Sequence, residues 1–422
     1  MVYSFHYLES CPKIRNGTVS IGRHDRFRNY LTIKTYWRWE LKRFPLPKVA
    51  VLGLVVLLLL VDACAAQPPA ATPAAKPTET VAASPPKGAT PVPTATAARP
   101  AANSAQPTKV RLGILSSLSD SGNFLAQDLG YFKEQGLDVE FTKFGAAAQM
   151  IAPLGAGQLD VGGGAPGVGL ANAVSRNVDI KIVADKGSTP KGQGFEGLVV
   201  RKDLWDAGVR TPADFKGKRI AIPSDTGITP EAALDKVMRT VGLKARDLQL
   251  VPMAHPDMAP ALAGKSIDLA IPIEPYITKI VEDGLGVIYQ REDEFYPNHQ
   301  IAVILYSGNF IKENPDAAKR YMVAYLKALR DYNDAFVGKD AKKKATVVSI
   351  LAKYTGVKDV PLYDKMLVPG LNPNGEVNKA SLAEDQDYYI RAGLQKDRLD
   401  IDKLVDPTWA KYAVDTLGVY KR

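Results

Sequence analysis

KVRLGILSSLSDSGNFLAQDLGYFKEQGLDVEF, residues 109–141, is the stretch from which the fold is read. Lys109–Leu115 is rich in β-branched and aliphatic residues and reads as a strand. Phe124, Leu125 and Leu129 fall on one face of a helix, and Leu137–Phe141 (LDVEF) reads as the next strand. The same alternation continues with a helix over Ala146–Leu154, a short strand Leu159–Val161, and a strand Ile180–Ala184. Strand and helix in turn predict a mostly parallel sheet with helices on both faces.

A second alternating block begins near Gly197. Gly197–Arg201, Lys218–Ile222, Leu248–Val251 and Leu269–Ile271 read as strands, and Tyr276–Val281 starts a helix. Thr229 is the expected N-cap of another helix, with Pro230 at the first helical position, where a missing N–H is harmless. Leu234, Val237, Met238 and Val241 then form its buried face, and Gly242 stops it. Past His299 come a strand, Ile301–Tyr306, and a long helix from Asn314-Pro315 through Phe336. Further helices are expected over Lys342–Tyr354, Ser381–Ala392 and Pro407–Leu417. The expected layout is one α/β lobe, 108–197 plus 300–422, interrupted by a second, 198–299, with a cleft between them. In such sheets ligands bind beyond the carboxyl ends of the strands.

Upstream of the α/β region the chain changes character. Residues 49–61, VAVLGLVVLLLLV, are apolar and uncharged, shorter than the roughly 20 residues of a membrane span. With Lys42, Arg43 and Lys48 before them they read as a signal-peptide core. Val61-Asp62-Ala63-Cys64 resembles a bacterial lipoprotein cleavage box, so Cys64 is the expected lipidation site. Asp62 departs from that box, and ordinary cleavage after Ala65 is the alternative. Residues 1–40 read as the product of a start assigned too far upstream, so that 1–63 is leader. Between Ala65 and Pro107, 31 of 43 residues are Ala, Pro or Thr, with no Leu, Ile or aromatic residue. That composition stays extended, and residues 64–107 are the expected tether of a domain working off a membrane.

Composition excludes several classes. The chain carries a formal charge of +9, but the leader holds +6 of it and the other 359 residues only +3. Such a mixed surface has no footprint for a phosphate backbone, so no nucleic-acid partner is expected. Two cysteines, Cys11 and Cys64, make neither a disulfide framework nor a zinc site. Only His255 and His299 lie beyond the leader, so no metal centre and no cofactor is expected.

Gly162-Gly163-Gly164-Ala165-Pro166-Gly167 satisfies the dinucleotide pattern G-x-G-x-x-G, with Asp185 further on. Yet its strand is short, and Pro166 removes an N–H that a pyrophosphate needs. A tight turn bringing backbone N–H groups to a small ligand is the better reading, and a purely structural turn the plainer one. Ala259–Ser266 (APALAGKS) lacks the first glycine of a phosphate loop and precedes a strand rather than a helix. No nucleophile motif is present, and neither histidine alone makes a catalytic base.

Three helix starts follow strands directly: near Ser119, at Ala146 after Phe144-Gly145, and at Thr229 after Asp225-Thr226-Gly227. Unpaired N–H groups there favour anionic or acceptor-rich ligands. Ser116, Ser117, Ser188, Thr226 and Thr229 add hydroxyls, and Glu274-Pro275-Tyr276 adds a carboxylate and a ring. Asp120, Asp225 and Glu274 offer the opposite chemistry, a seat for an amine or aminopyrimidine.

Six segments carry a resemblance: LGYFKEQGLDVEF (129–141), LGAGQLDVGGG (154–164), TPADFKGKRIAI (211–222), GLKARDLQLVPM (242–253), ALAGKSIDLAIPIEPY (261–276) and NFIKENPDAAKRYMVAYLKA (309–328). Together they resemble substrate-binding proteins of ABC importers, of the group that handles nitrate, sulfonates, taurine and thiamine-pyrimidine precursors. The resemblance implies a two-lobed, hinged type II periplasmic-binding fold that takes one small solute and delivers it to a permease and its ATPase. It places the ligand loops at Ser116–Ser119, Phe144-Gly145, Gly163–Ala165, Ser188, Asp225–Gly227 and Glu274–Tyr276. The solute is expected to be a sulfonate, nitrate, a carboxylate or a pyrimidine-like molecule, and the protein a monomer without catalysis. A ligand sensor for a signalling partner is one alternative. A pyrimidine-precursor synthase is another, though that enzyme's cysteine-rich segment has no counterpart here.

Overall fold

The computed structural model describes residues 106–223 and 227–421. The leader, Cys64, all but the end of the tether, Asp225 and Thr226 lie outside those residues.

Ten strands run in chain order: β1 Thr108–Ile114, β2 Leu137–Lys143, β3 Val161–Gly164, β4 Ile180–Ser188, β5 Gly197–Arg201, β6 Arg219–Ile222, β7 Gln249–Pro252, β8 Leu269–Ala270, β9 Gly286–Arg291 and β10 Gln300–Ser307. They form two five-stranded sheets, ordered β2-β1-β3-β10-β4 and β7-β6-β8-β5-β9. In β1, Val110 and Leu112 are buried while Lys109 and Arg111 face out, the period of two that a half-covered strand requires.

Neither sheet is mostly parallel, which corrects the sequence expectation. Each has two parallel pairings and two antiparallel ones, the latter made by β10 in the first sheet and β5 in the second. These are the strands that follow the two crossings between sheets, residues 189–196 and 292–299. Each enters its sheet from the carboxyl edge and so runs against its neighbours.

The longer helices are α1 Ser121–Asp128, α2 Ala148–Gly155, α3 Val168–Ser175, α4 Thr229–Arg239, α5 His255–Ala263, α6 Tyr276–Glu282, α7 Pro315–Phe336, α8 Ala341–Tyr354, α9 Lys379–Arg391 and α10 Thr408–Leu417. Helix α7 buries Tyr321, Tyr325 and Tyr332 against the first sheet, with α1, α8 and α10 around it. In α4, Leu234, Val237 and Met238 are buried as expected. Val241 lies past the last turn and is 41% exposed, because the helix ends at Arg239, two residues before the fourth position of that face. Among the described residues no helix is long and apolar enough to cross a membrane.

Helix α9 spans both halves. Leu382 packs in a core of the first sheet, whereas Tyr388 and Tyr389 pack in the core of the second. Tyr388 also donates to Glu231 of α4 at 2.6 Å.

Candidate functional site

Topology fixes where a site can be. Because β1, β2 and β3 are parallel and β10 reverses between β3 and β4, the carboxyl ends of β1 to β4 share one edge. By the same reasoning β6, β7, β8 and β9 end on one edge of the second sheet. Both crossings leave one of these edges and enter the other, so the two edges stand opposite each other. The crossings are tied together: Asn298 N–H donates to Thr189 O at 2.8 Å, and Glu292 N–H to Glu196 O at 3.0 Å.

On the first edge a polar cluster forms after β1. Asp120 Oδ2 accepts from the backbone N–H groups of Leu115 and Ser117, each at 3.1 Å, and from the Ser117 hydroxyl at 3.2 Å. Its other oxygen pairs with Lys186 Nζ at 3.0 Å, both side chains fully buried. Lys186 also donates to the Ser119 hydroxyl at 2.9 Å, which in turn meets Ser117 Oγ at 2.9 Å. Ser116 begins this turn with a φ of 56°, the left-handed region. The sequence offered no motif for Lys186, which follows Asp185 near the end of β4.

Gly163 admits that lysine. A Cβ there would lie 2.5 Å from Lys186 Cδ, and one on Gly164 only 2.3 Å from the Cβ of Ala147. The glycines lie within β3, paired to Val303 and Ile304 of β10, rather than in a turn after it. What they provide is close approach of neighbouring side chains, and the turn proper starts at Ala165. Ser188 likewise closes β4, exchanging backbone bonds with Gly370 at 2.9 Å each way.

Some of the other expected N–H donors are capped from within. Gln149 Oε1 accepts from Gly145 N–H at 2.9 Å and Ala146 N–H at 3.3 Å. Helix α2 starts at Ala148, later than expected, and the ring of Phe144 lies against Gly113. On the second edge Gly227 N–H donates to Glu231 Oε2 at 2.6 Å. Thr229 is the first residue of α4 and Ile228 its N-cap, so the buried threonine hydroxyl caps nothing. Glu274 accepts from Thr278 N–H at 3.0 Å and Thr278 Oγ1 at 2.8 Å, and pairs with Arg291 at 2.7 Å.

Other contacts among the described residues join the two halves. Val168 N–H, at the start of α3, donates to Gly227 O across the gap at 2.9 Å. Gly227 holds a φ of 82°, and its missing side chain leaves room for Val168. At the other flank Lys365 reaches Glu282 of α6 at 2.6 Å. The Tyr276 hydroxyl lies 3.9 Å from where a Cβ on Gly356 would be. Tyr276 stacks on His255, centroids 6.1 Å apart and planes 12° apart. Burial, then the Asp257 charge, raises the Tyr276 phenol.

His299 behaves differently from His255. It is fully buried between Glu292 and Asp385, with Nε2 to Asp385 at 2.8 Å, and Tyr296 stacks on it at 4.0 Å. Burial opposes its charge, but the Asp385 and Glu292 carboxylates outweigh burial and push it up to about 10. This ion cluster joins α9 to the second crossing.

A cavity of about 360 Å³ lies elsewhere, between α4 and α9. Among its charges Lys236 pairs with Glu384 at 2.7 Å and Arg391 with Asp235 at 3.2 Å within the wall. We place the site at the facing strand edges instead, where unlike elements converge.

Comparison with known proteins agrees with this fold. A putative binding protein of Brucella abortus is 29% identical over 229 residues, 54% of this chain and 67% of its own length. The taurine-binding periplasmic protein of Escherichia coli is 26% identical over 241 residues, 56% and 70% of the two chains. The fold matches that of the alkanesulfonate-binding protein from Xanthomonas axonopodis pv. citri bound to MOPS, with a TM-score of 0.58 and 19% identity. That match covers 72% of this chain and all of the other. The sequence profile of the NMT1/THI5-like family matches residues 119–334, just over half of the sequence, and the chain belongs to that family.

Proposed function

We propose that this chain is the extracytoplasmic solute-binding component of an ABC importer. It captures one small molecule between the two strand-end edges and hands it to a permease served by an ATPase. The observation that carries this is topological: both carboxyl edges oppose each other, and the same two crossings join them. In open α/β sheets that edge is where ligands bind. Capture without turnover is proposed, since the edges carry hydroxyls, rings and paired charges rather than a nucleophile with its base.

Closure moves 198–299, with α9 riding against it, toward 108–197 and the rest of 300–422. The residues proposed to touch solute are those of the turns after β1, β2, β3 and β4, together with Asp225–Gly227, Thr229, Glu274 and Tyr276. Solute contacts to both edges favour the closed form by the difference in affinity between the two forms. The tether and Cys64 support a lipid-anchored monomer on the outer face of the cell membrane. Mass spectrometry of the N-terminal peptide tests the anchor: a diacylated Cys64 is expected, and an unmodified residue or cleavage after Ala65 contradicts it.

A thermal-shift screen of sulfonates, nitrate, carboxylates and pyrimidines tests capture. A solute at a hundredfold excess over Kd stabilises by about 2.7 kcal/mol, which is readily read. Tyr276→Ala is expected to weaken the hit at least tenfold and leave the solute-free melting temperature nearly unchanged. Unaltered affinity removes Tyr276 from the site.

A further inference from the structure

The hollow between α4 and α9 lies away from the strand edges, yet it has the dimensions of a ligand site. Its volume of about 360 Å³ falls within the roughly 300–1,000 Å³ of small-molecule pockets. The floor is buried: Ala232 and Asp235 of α4, Asp385 and Tyr388 of α9, and Tyr296 of the second crossing. Its polar groups are already served. Asp385 accepts from the Tyr296 hydroxyl at 3.1 Å and meets His299 at 2.8 Å. Asp235 accepts from Ala245 N–H at 3.1 Å, and Tyr388 donates to Glu231 at 2.6 Å. What the floor offers an occupant is therefore the carbon surface of Ala232 and of two rings.

The rim holds cations with bonding capacity left. Lys236 pairs with Glu384, but the two side chains are 36% and 53% exposed, and such a pair holds weakly. Its ammonium also sits 3.9 Å over the Tyr296 ring. Arg391 gives Asp235 only its Nη2, at 3.2 Å, and the rest of its guanidinium fork makes no other bond among the described residues. Arg239, exposed at the end of α4, forms no ion pair among the described residues. Basic residues are common in the last turn of a helix, where they offset its dipole. That accounts for Lys236 and Arg239 on α4, but not for a third cation on the opposite wall, with a hollow between.

We propose that this hollow is a second ligand site, separate from the strand edges, for a small organic anion with at least two acidic groups, carboxylate or phosphate. Arg239 and Arg391 take these groups from opposite walls, because a guanidinium fork fits either oxyanion with two parallel hydrogen bonds. Lys236 turns from Glu384 to the anion, and the carbon body lies on the floor. A compact inorganic anion has no such body to set there. The occupant ties α4, in the second half, to α9, which also packs in a core of the first through Leu382.

Calorimetry on the full chain with citrate, succinate and 3-phosphoglycerate tests this, with sulfate and succinamide as the compact and the uncharged control. At least one of the organic anions is expected to bind, more weakly as salt is added. Arg239→Gln is expected to weaken that binding at least tenfold while the ligand-free melting temperature holds, since the side chain it removes is exposed and unpaired. Arg239→Lys, which keeps the charge without the fork, recovers part of the loss. Tyr276→Ala, at the strand edge, is expected to leave the affinity unchanged.

Binding that Tyr276→Ala abolishes and Arg239→Gln spares overturns the inference and puts the anion at the strand edges, so that the solute-binding reading stands. Equal binding of sulfate or succinamide overturns it as well. So does silence from all the organic anions, which leaves capture of other solutes at the edges untouched.

Discussion

Lys186 is the residue on which the first edge depends. A lysine buried without a partner is costly, whereas one bonded to Asp120 and Ser119 holds the turn after β1 against β4. Lys186→Met is expected to cost about 3–5 kcal/mol in urea unfolding, because it strands the Asp120 carboxylate. Adding Asp120→Asn recovers most of that if the stranded charge is the cause; equal loss in the double variant would point to packing. The same chemistry explains what the sequence concealed. Ser117 was legible as a strand-end hydroxyl and Ser119 as a helix start, but the lysine that bonds Ser119 lies 67 residues beyond it, and only the sheet order brings it there. The helix starts were legible as well. Their capping by Asp120, Gln149, Glu231 and Glu274 was not, since a polar side chain a few residues away in the chain reads equally well as a ligand contact.

At the scale of elements, most strands and helices were read nearly to their ends because β-branched runs and helical faces are local signals, whereas β9 and α3 were not read at all. The exceptions are instructive. β3 was placed early because three glycines look like a loop, yet they sit in the sheet where α2 must come close. Gly164→Val is expected to lose about 1–3 kcal/mol by overpacking against Ala147, measured by thermal unfolding; an unchanged midpoint would mean α2 shifts freely. The antiparallel strands were missed because direction is a property of the crossings, which no periodicity reports. Helix α9 carries a further consequence through His299. Its folded value is raised from 6.5 to about 10, so its contribution to stability is complete below about 6.5 and is lost as pH climbs through about 10. Urea midpoints across that window are expected to fall, and the fall is expected to flatten in His299→Gln. A parallel decline in both proteins would remove His299 as its source.

For the molecule as a whole, two sheets share two crossings and α9, and the halves also touch at Val168–Gly227 and Lys365–Glu282. The second contact is exposed, and such a pair contributes about 0–1 kcal/mol. It tunes closure rather than commanding it, which leaves the solute as the main source of bias. Glu282→Gln is accordingly expected to change solute affinity by less than about fivefold in calorimetry, and a larger loss would make this pair a principal latch. The measurement that bears most directly on closure is energy transfer between dyes on the two halves. With Cys11 and Cys64 replaced by serine, Lys133→Cys and Lys244→Cys place one dye on an exposed position of each. Any probe from the screen that raises the melting temperature is expected to change transfer saturably, with the same midpoint as binding. A probe that stabilises the protein yet leaves transfer flat would contradict a clamp built from these two edges.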